Sequence, residues 1–199
     1  NPHQQGTFYG DFEKIFAQLN GKELSYNNLL DIDAAINLIS EFTPSPSERD
    51  EVRSATFAIL KHNNACGLAS RKKLIDAWKD ALAGDPVSAF GGILITHTML
   101  DEETAQEINK LFFEVIIAPS YDEKALNILT QKQNRIILEL KQTALSQKLI
   151  RTALNGYLEQ DRDSKTETID DMKPVTKKFP SKEELSDLVF ANKIAKHTK

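Results

Sequence analysis

The sequence predicts an α/β protein in which helices cover a largely parallel sheet. Short apolar runs alternate with segments of helical periodicity, and short links join them. A succession of strand, helix and strand is typical of a parallel sheet. The length of 199 residues is enough for one good-sized domain, or for one domain and part of another.

The first predicted helix covers residues 28–42, where apolar side chains recur at helical spacing. Asn27 or Asn28 can cap its start, and the segment containing Pro44 and Pro46 ends it. Residues 55–61 form a short apolar run rich in strand formers, followed by a polar turn through Gly67. Residues 70–82 are predicted to form an amphipathic helix.

The alternation continues along the chain with strands at 92–96, 114–118 and 135–140 and helices at 102–112 and 122–131. Residues 148–160 are predicted to form two strands or one long edge strand, and residues 161–173 a polar loop. Ser181 and Glu184 have the spacing of a capping box, so we expect a last helix to begin there. This helix is interpreted as the start of a new structural unit.

Composition excludes several classes of function. The 25 Lys and Arg residues against 29 Asp and Glu give a net charge of -4, without the basic excess of a nucleic-acid-binding protein. No stretch approaches the roughly 18 apolar residues of a membrane helix. The single cysteine, Cys66, cannot form an internal disulfide, which favours a reducing, cytoplasmic setting. Asn1 and Lys199 carry no start or stop signal, so we expect both ends to be cut.

One candidate site is the segment Lys61 to Gly67, KHNNACG, which comes directly after a predicted buried strand. The carboxyl ends of parallel strands present ligand-binding groups, so we expect this segment to lie at such an end. His62 can exchange a proton near neutral pH, and Lys61 can stabilise negative charge. On position alone, a solvated surface pair is the favoured interpretation.

A second candidate is the segment Gly84 to Gly92, GDPVSAFGG. Its paired glycines allow close approach of the main chain to a ligand and leave amides bare, while Phe90 offers a flat face to a heterocycle. The alternative is a tight turn whose phenylalanine belongs to the core. The chain contains neither the Rossmann nor the Walker glycine motif.

Taken together, five ordered segments carry a resemblance to a known family: NPHQ (1–4), GKELSYNN (21–28), KHNNACG (61–67), DPVSAFGG (85–92) and EVIIAP (114–119). In order and approximate spacing they resemble the AICAR transformylase domain of the bifunctional AICAR transformylase/IMP cyclohydrolase family. QDRD (160–163) and KHTK (196–199) extend the resemblance over essentially the whole chain. Asn63 and Ala65 replace the threonine and proline usual in the family motif, whereas Lys61 and His62 are kept.

The resemblance implies a cytidine-deaminase-like, three-layer α/β unit with a mostly parallel mixed sheet, duplicated in the complete domain. Residues 1–145 would form the first subdomain, residues 146–180 edge strands and a connecting loop, and residues 181–199 the first helix of a second, similar unit. It also implies a homodimer that completes the sites. Zinc deaminases need an H-x-E and a P-C-x-x-C motif, so with one cysteine and no H-x-E we expect no zinc or other metal here.

The activity implied is formyl transfer from 10-formyltetrahydrofolate, a co-substrate, to the 5-amino group of 5-aminoimidazole-4-carboxamide ribonucleotide. Lys61 and His62 are the implied catalytic residues, and the implied substrate-binding residues are Asn64, Phe90, Gly91 and Glu114. Other family site residues lie beyond Asn1 and Lys199, so we expect little or no activity from this segment alone. Two alternatives stay open, a non-catalytic dimerisation or nucleotide-binding module and a different zinc-independent nucleotide-processing enzyme.

Overall fold

The computed structural model describes residues 3–43, 54–141 and 146–198. Within these ranges the chain divides into two compact units. The first contains residues 3–43, 54–141 and 197–198, and the second contains residues 146–196. The predicted boundary near residue 145 lies outside the described residues, as do Pro44, Pro46 and the two chain ends. The assignment of residues 181–199 to a second, similar subdomain stays a prediction.

A six-stranded sheet forms the centre of the first unit. Its strands are β1 (Phe16–Asn20), β2 (Ala55–Lys61), β3 (Asn64–Arg71), β4 (Ile93–Thr96), β5 (Val115–Ala118) and β6 (Ile136–Leu140). They lie in the order β1-β6-β5-β4-β2-β3. The β4, β5 and β6 strands pair in parallel, while β1–β6, β2–β4 and β2–β3 pair antiparallel. The strands β3 to β6 therefore point the same way, which confirms the predicted α/β class with a mostly parallel mixed sheet.

Helices cover both faces of this sheet. They are α1 (Phe12–Ile15), α2 (Tyr26–Ser40), α3 (Leu74–Gly84), α4 (Glu102–Ile108) and α5 (Glu123–Leu129). Phe57 and Ile59 of β2 join one apolar core with α3, α4 and α5, and the Phe57 ring meets Trp78 edge to face with 5.1 Å between centroids. Side chains alternate along a strand, so Ala58 and Leu60 face the opposite side, where α2 packs on β2 and β4. The result is a helix, sheet and helix layering.

Most predicted elements are confirmed to within a few residues, but three elements were not foreseen and two helices begin at other residues than expected. The prediction missed α1 and β1 and did not foresee β3. Because residues 64–71 form β3, the helix expected at 70–82 begins only at Leu74. The helix expected at 28–42 begins at Tyr26, and its N-cap is Ser25, whose hydroxyl accepts from the backbone N–H of Asn28 at 3.1 Å. Neither Asn27 nor Asn28 is the cap.

The main correction concerns the segment after β2. The sequence suggests a strand that ends in an open loop, whereas β2 turns back after two residues and continues as β3, with Lys61 paired to Asn64. The carboxyl end of β2 also lies beside the amino end of β4, because Leu60 pairs with Ile93 in an antiparallel register. The candidate residues therefore lie at the amino ends of the parallel strands, opposite to the expected edge.

The second unit contains a hairpin and a helix. Strands β7 (Lys148–Ala153) and β8 (Gly156–Asp161) pair antiparallel, so of the two alternatives for residues 148–160 the structure shows the pair of strands. A short 3-10 helix, Ile169–Asp171, interrupts the predicted loop, and α6 (Lys182–Ala195) begins at the expected capping box of Ser181 and Glu184. No helix within the described ranges has the length and apolar character needed to cross a membrane.

Candidate functional site

The turn between β2 and β3 presents His62. His62 and Asn63 have φ values of 54° and 63°, so both central residues of the two-residue turn adopt the left-handed conformation. Two-residue hairpin turns with this geometry match the twist of the flanking strands and favour Asn-Gly or Asp-Gly. For residues other than glycine the left-handed conformation costs roughly 1–2 kcal/mol each. His62 is exposed, so its imidazole is accessible to a ligand.

Contacts from α2 hold this turn in place. The backbone N–H of Asn63 donates to Asp31 Oδ1 at 2.6 Å. With its side-chain amide in the orientation that satisfies donors and acceptors, Asn63 also donates to the Leu30 carbonyl at 3.0 Å and to Asp31 Oδ1 at 3.1 Å. On the other side of the turn, the Asn64 side chain donates to the His62 carbonyl at 3.1 Å. These hydrogen bonds offset the cost of the turn conformation.

Lys61 connects the two candidate segments. Its ammonium group donates to the carbonyl oxygen of Phe90 at 2.8 Å. The registers of β2, β4 and β5 place Leu60 beside Ile93 and Ile93 beside Val115, so the residues just outside these pairs are also neighbours. Lys61, Gly92 and Glu114 therefore lie side by side at one edge of the sheet.

Hydrogen bonds within the Asp85 to Gly92 loop, and one from the loop to Phe112, hold its backbone in place. Asp85 accepts from the Ser88 hydroxyl at 2.6 Å and from the Ser88 backbone at 2.9 Å, and these bonds, the first above all, lower the pKa of the Asp85 carboxyl. Gly91 has a φ of 73° and donates its amide to the Phe112 carbonyl at 2.8 Å. Gly92 donates to the Ala89 carbonyl at 3.1 Å. The amides of both glycines are thus engaged within the chain, and the expectation that they are bare for a ligand is wrong.

A second role for Gly92 is close packing against β2. A Cβ atom at this position would lie 2.7 Å from the Leu60 carbonyl oxygen and 3.1 Å from that of Ala89. Both are backbone atoms, which a side-chain rotation cannot move. The glycine therefore allows the end of the loop to lie close to β2.

An open cavity of about 310 Å³ adjoins the turn. Its lining residues are Lys61, His62, Asn64, Ala65, Cys66, Asp85 and Ser88. The pKa of the Cys66 thiol is raised, first by burial and then by the nearby Asp85 carboxylate, so this sulfur is held as a thiol. The volume is at the lower end of the roughly 300–1,000 Å³ that is usual for small-molecule sites.

Glu114 is oriented by the start of α2. The buried Asn28 side chain donates to Glu114 Oε2 at 2.8 Å, and its own oxygen accepts from the Ser25 backbone at 3.1 Å and lies 2.9 Å from the Ser25 hydroxyl. The GKELSYNN segment thus contributes a helix cap that fixes a carboxylate 86 positions further along the chain.

An exposed aromatic pair lies beside the cavity. The rings of Phe90 and Phe112 are 5.0 Å apart between centroids and tilted by 41°, and their exposed fractions are 58% and 50%. Phe90 is therefore not a core residue, which removes the alternative of a simple tight turn with a buried phenylalanine. Apolar faces that water can reach are typical of sites that bind planar ligands.

The structure brings together some predicted site residues more closely than others. Lys61, His62 and Asn64 line the cavity, whereas Phe90, Gly91 and Glu114 lie next to it at the same sheet edge. Sequence reasoning missed Asp31, Asn28 and Phe112 as parts of this region. Only GKELSYNN offered a signal, since it stood out as a motif without an assigned role. Among residues 3–43, 54–141 and 146–198, no three His, Cys, Asp or Glu side chains are grouped to hold a metal ion.

An open, partly polar cavity at the edge of an α/β sheet is typical of proteins that act on small molecules. The family model described as AICARFT/IMPCHase bienzyme matches residues 1–199. The chain belongs to this family.

Three curated relatives, each called bifunctional purine biosynthesis protein PurH, illustrate the similarity. The protein of Bacteroides thetaiotaomicron is 59% identical over 199 residues, that of Acetivibrio thermocellus 44% over 211 residues, and that of Parvibaculum lavamentivorans 44% over 207 residues. Each alignment covers 100% of this chain but only 37%, 39% and 37% of the respective relative. The chain therefore spans less than two fifths of the length of these relatives.

Proposed function

We propose that this chain supplies Lys61 and His62 to a formyltransferase site of purine biosynthesis. The reaction transfers the formyl group of 10-formyltetrahydrofolate to the 5-amino group of 5-aminoimidazole-4-carboxamide ribonucleotide. The single observation that carries the proposal is the joint placement of an imidazole and an ammonium group on one open cavity, with Lys61 bonded to Phe90 of the neighbouring segment. Family membership directs the choice of substrates.

His62 is proposed as the proton acceptor. The amine of the nucleotide is a poor nucleophile, because the imidazole ring that carries it bears an electron-withdrawing carboxamide. As the amine nitrogen forms its bond to the formyl carbon, it must lose a proton, and the exposed imidazole of His62 accepts it. General-base assistance of this kind is typically worth about 10²- to 10⁴-fold in rate.

Lys61 is proposed to stabilise the negative charge that develops on the formyl oxygen. A cation fixed in advance near that oxygen lowers the barrier, because little reorganisation is needed during the reaction. The hydrogen bond to Phe90 keeps the Lys61 ammonium group at the cavity. When the carbon–nitrogen bond to the folate breaks, the leaving nitrogen takes up a proton, and formylated nucleotide and tetrahydrofolate result.

The neighbouring residues are proposed to hold the nucleotide. The exposed Phe90 face offers a stacking surface for the imidazole ring, and the Glu114 carboxylate can accept hydrogen bonds from substrate amino groups. Asn64, which lines the cavity, is a further candidate contact. Lys61 and His62 are the only basic residues among the seven that line it, and Asp85 is acidic. We therefore expect further cations for the nucleotide phosphate from other parts of a family-length protein or from a second subunit of a homodimer.

His62→Ala in a family-length protein that carries this chain tests the proposal. We expect formyl transfer to fall by about 10²- to 10⁴-fold, and added imidazole to restore part of the rate by replacing the missing base. Lys61→Met should lower kcat as well, whereas Lys72→Met, at an exposed position outside the cavity lining, serves as its matched control. Unchanged transfer in His62→Ala would favour a non-catalytic nucleotide-binding or dimerisation module.

A second assay uses the 199-residue chain alone. We expect little or no turnover with nucleotide and formyl-folate, because the proposed site draws on groups outside this chain. Turnover at the rate of the family-length protein would contradict this expectation.

A further inference from the structure

Asp31 lies one helical turn beyond Asn28, near the start of α2, and contacts the turn that carries His62. The next residue, Ile32, is buried in the core with an exposed fraction of 3%, and Asp31 itself is half-buried. The carboxylate therefore belongs to a helix that core packing holds in place. It connects the rigid part of the fold with an exposed turn.

The bond to Asp31 is directed at the backbone of the turn. Asp31 Oδ1 accepts from the Asn63 backbone nitrogen at 2.6 Å and from the Asn63 side-chain nitrogen at 3.1 Å. Both donors belong to the residue directly after His62. Any change in the φ or ψ angles of His62 would move that backbone nitrogen away from the carboxylate, so the two bonds select one conformation of the His62 backbone.

This turn has a particular need for such a constraint. Both central residues have positive φ, and neither is glycine, which adopts that conformation without steric cost. A hairpin with His and Asn at these positions has other backbone conformations of lower local energy. Without an outside contact the imidazole would spread over several positions relative to the cavity.

From these contacts we infer that Asp31 is a positioning residue, which holds the turn between β2 and β3 so that the His62 imidazole stays aimed at the cavity. The inference rests on the proposed function of His62 and adds a residue that acts through it. Asp31 does not line the cavity. Its effect should therefore appear in the chemical step more than in substrate binding.

The expected effect has an upper limit and a characteristic pattern. Displacing a reacting group by about 1 Å can cost around 100-fold in rate, and the loss cannot exceed that of removing the imidazole. We expect Asp31→Ala to lower kcat by about 10- to 100-fold with less than about a threefold change in KM. Asp31→Asn keeps an acceptor oxygen for the Asn63 backbone and should retain most of the activity.

The matched control is Asp33→Ala, which removes the same charge from an exposed position of the same helix. Its kcat should stay within about twofold of the parent, since a twofold change is small beside a 10- to 100-fold effect. A double variant tests the mechanism directly. In Asp31→Ala combined with Asn63→Gly, glycine adopts positive φ without strain, so the turn needs less help and kcat should recover by about threefold or more over Asp31→Ala.

All variants are assayed in a family-length protein that carries this chain, with the folded fraction at assay temperature checked by circular dichroism. If Asp31→Ala keeps parental kcat while His62→Ala is inactive, Asp31 has no positioning role and the proposed function stands. A loss that tracks the folded fraction, or that the double variant does not recover, would assign Asp31 a purely structural role and overturn the inference. Full activity of His62→Ala would instead reject the proposed function itself.

Discussion

Gly67, the last residue of the KHNNACG segment, gives the sharpest test of how α3 packs on β3. A Cβ atom at this position would overlap the carbonyl oxygen of Ala81 and lie 2.8 Å from its carbonyl carbon. Carbon atoms in contact are about 3.5–4.0 Å apart in proteins, so α3 would have to move by about an ångström or more. Ala81 is part of the buried face of α3, together with Trp78, so this shift would disturb the core.

Overpacking a core usually costs about 1–3 kcal/mol, and a clash with backbone belongs at the upper end because no rotamer change relieves it. We therefore expect Gly67→Ala to lower the free energy of unfolding by about 3 kcal/mol. With a urea dependence of about 1.5–2 kcal/mol per molar, the unfolding midpoint should fall by about 1.5–2 M.

The chain has one tryptophan, Trp78, so its fluorescence reports on the first unit alone. Urea unfolding monitored by this signal therefore measures the predicted loss directly. Gly6→Ala is the matched control in the same unit, because a Cβ there meets only the exposed side chain of Tyr26, at 3.3 Å. If Gly67→Ala unfolds at the same urea concentration as the parent, the close approach of α3 to β3 is wrong.

Three further results are expected. Asn28→Ala should weaken nucleotide binding more than Asn27→Ala, because Asn28 orients Glu114 while Asn27 is exposed; equal affinities by calorimetry would argue against this role. Burial lowers the pKa of His97, whose Nε2 is shielded and has no partner among the described residues, so the folded state favours neutral imidazole. The contribution of neutral His97 to the free energy of unfolding of the first unit should therefore be complete above about pH 6.5, the pKa of histidine in an unfolded chain, and should decline as the pH falls below that value. Urea titrations at several pH values should show a smaller loss of stability in acid for His97→Gln than for the parent. Because burial and Asp85 raise the pKa of Cys66, its thiol should react with iodoacetamide at about pH 8 more slowly than a free cysteine, and an equal rate would contradict the described environment.

The core strands were predictable because their sequences are continuous apolar runs. Residues 55–61, 93–96, 115–118 and 136–140 read as strands from side-chain type alone, and the structure places their boundaries within a residue or two of the expected positions. Edge strands lack this signal. In β3 small and polar residues such as Gly67 and Ser70 alternate without an apolar run, and β1 includes Gln18 and Asn20. Both strands depend on pairing with a neighbour distant in sequence or on a turn whose type was not recognised.

The turn at His62 shows why the site was only partly predictable. Lys61 and His62 could be named from the motif. The two-residue turn was not recognised, because Asn63 occupies the position at which such turns usually have glycine. The turn reverses the direction of the chain after β2, and the candidate residues lie at the amino ends of β4 and β5. The contact of Asp31 with Asn63 spans 32 positions and that of Asn28 with Glu114 spans 86. Contacts of this kind arise from how helices pack on the sheet, which local periodicity does not determine.

The most direct test asks whether His62 faces the nucleotide. A family-length protein that carries this chain is titrated with the aminoimidazole carboxamide ribonucleotide, and NMR signals of the histidine side chains are followed. The signal assigned to His62 by substitution should shift and saturate with added nucleotide, while that of the shielded His97 stays in place. Saturable nucleotide binding that leaves the His62 signal unmoved would show that the imidazole does not face the substrate, and the proposed role of the β2–β3 turn in formyl transfer would be wrong.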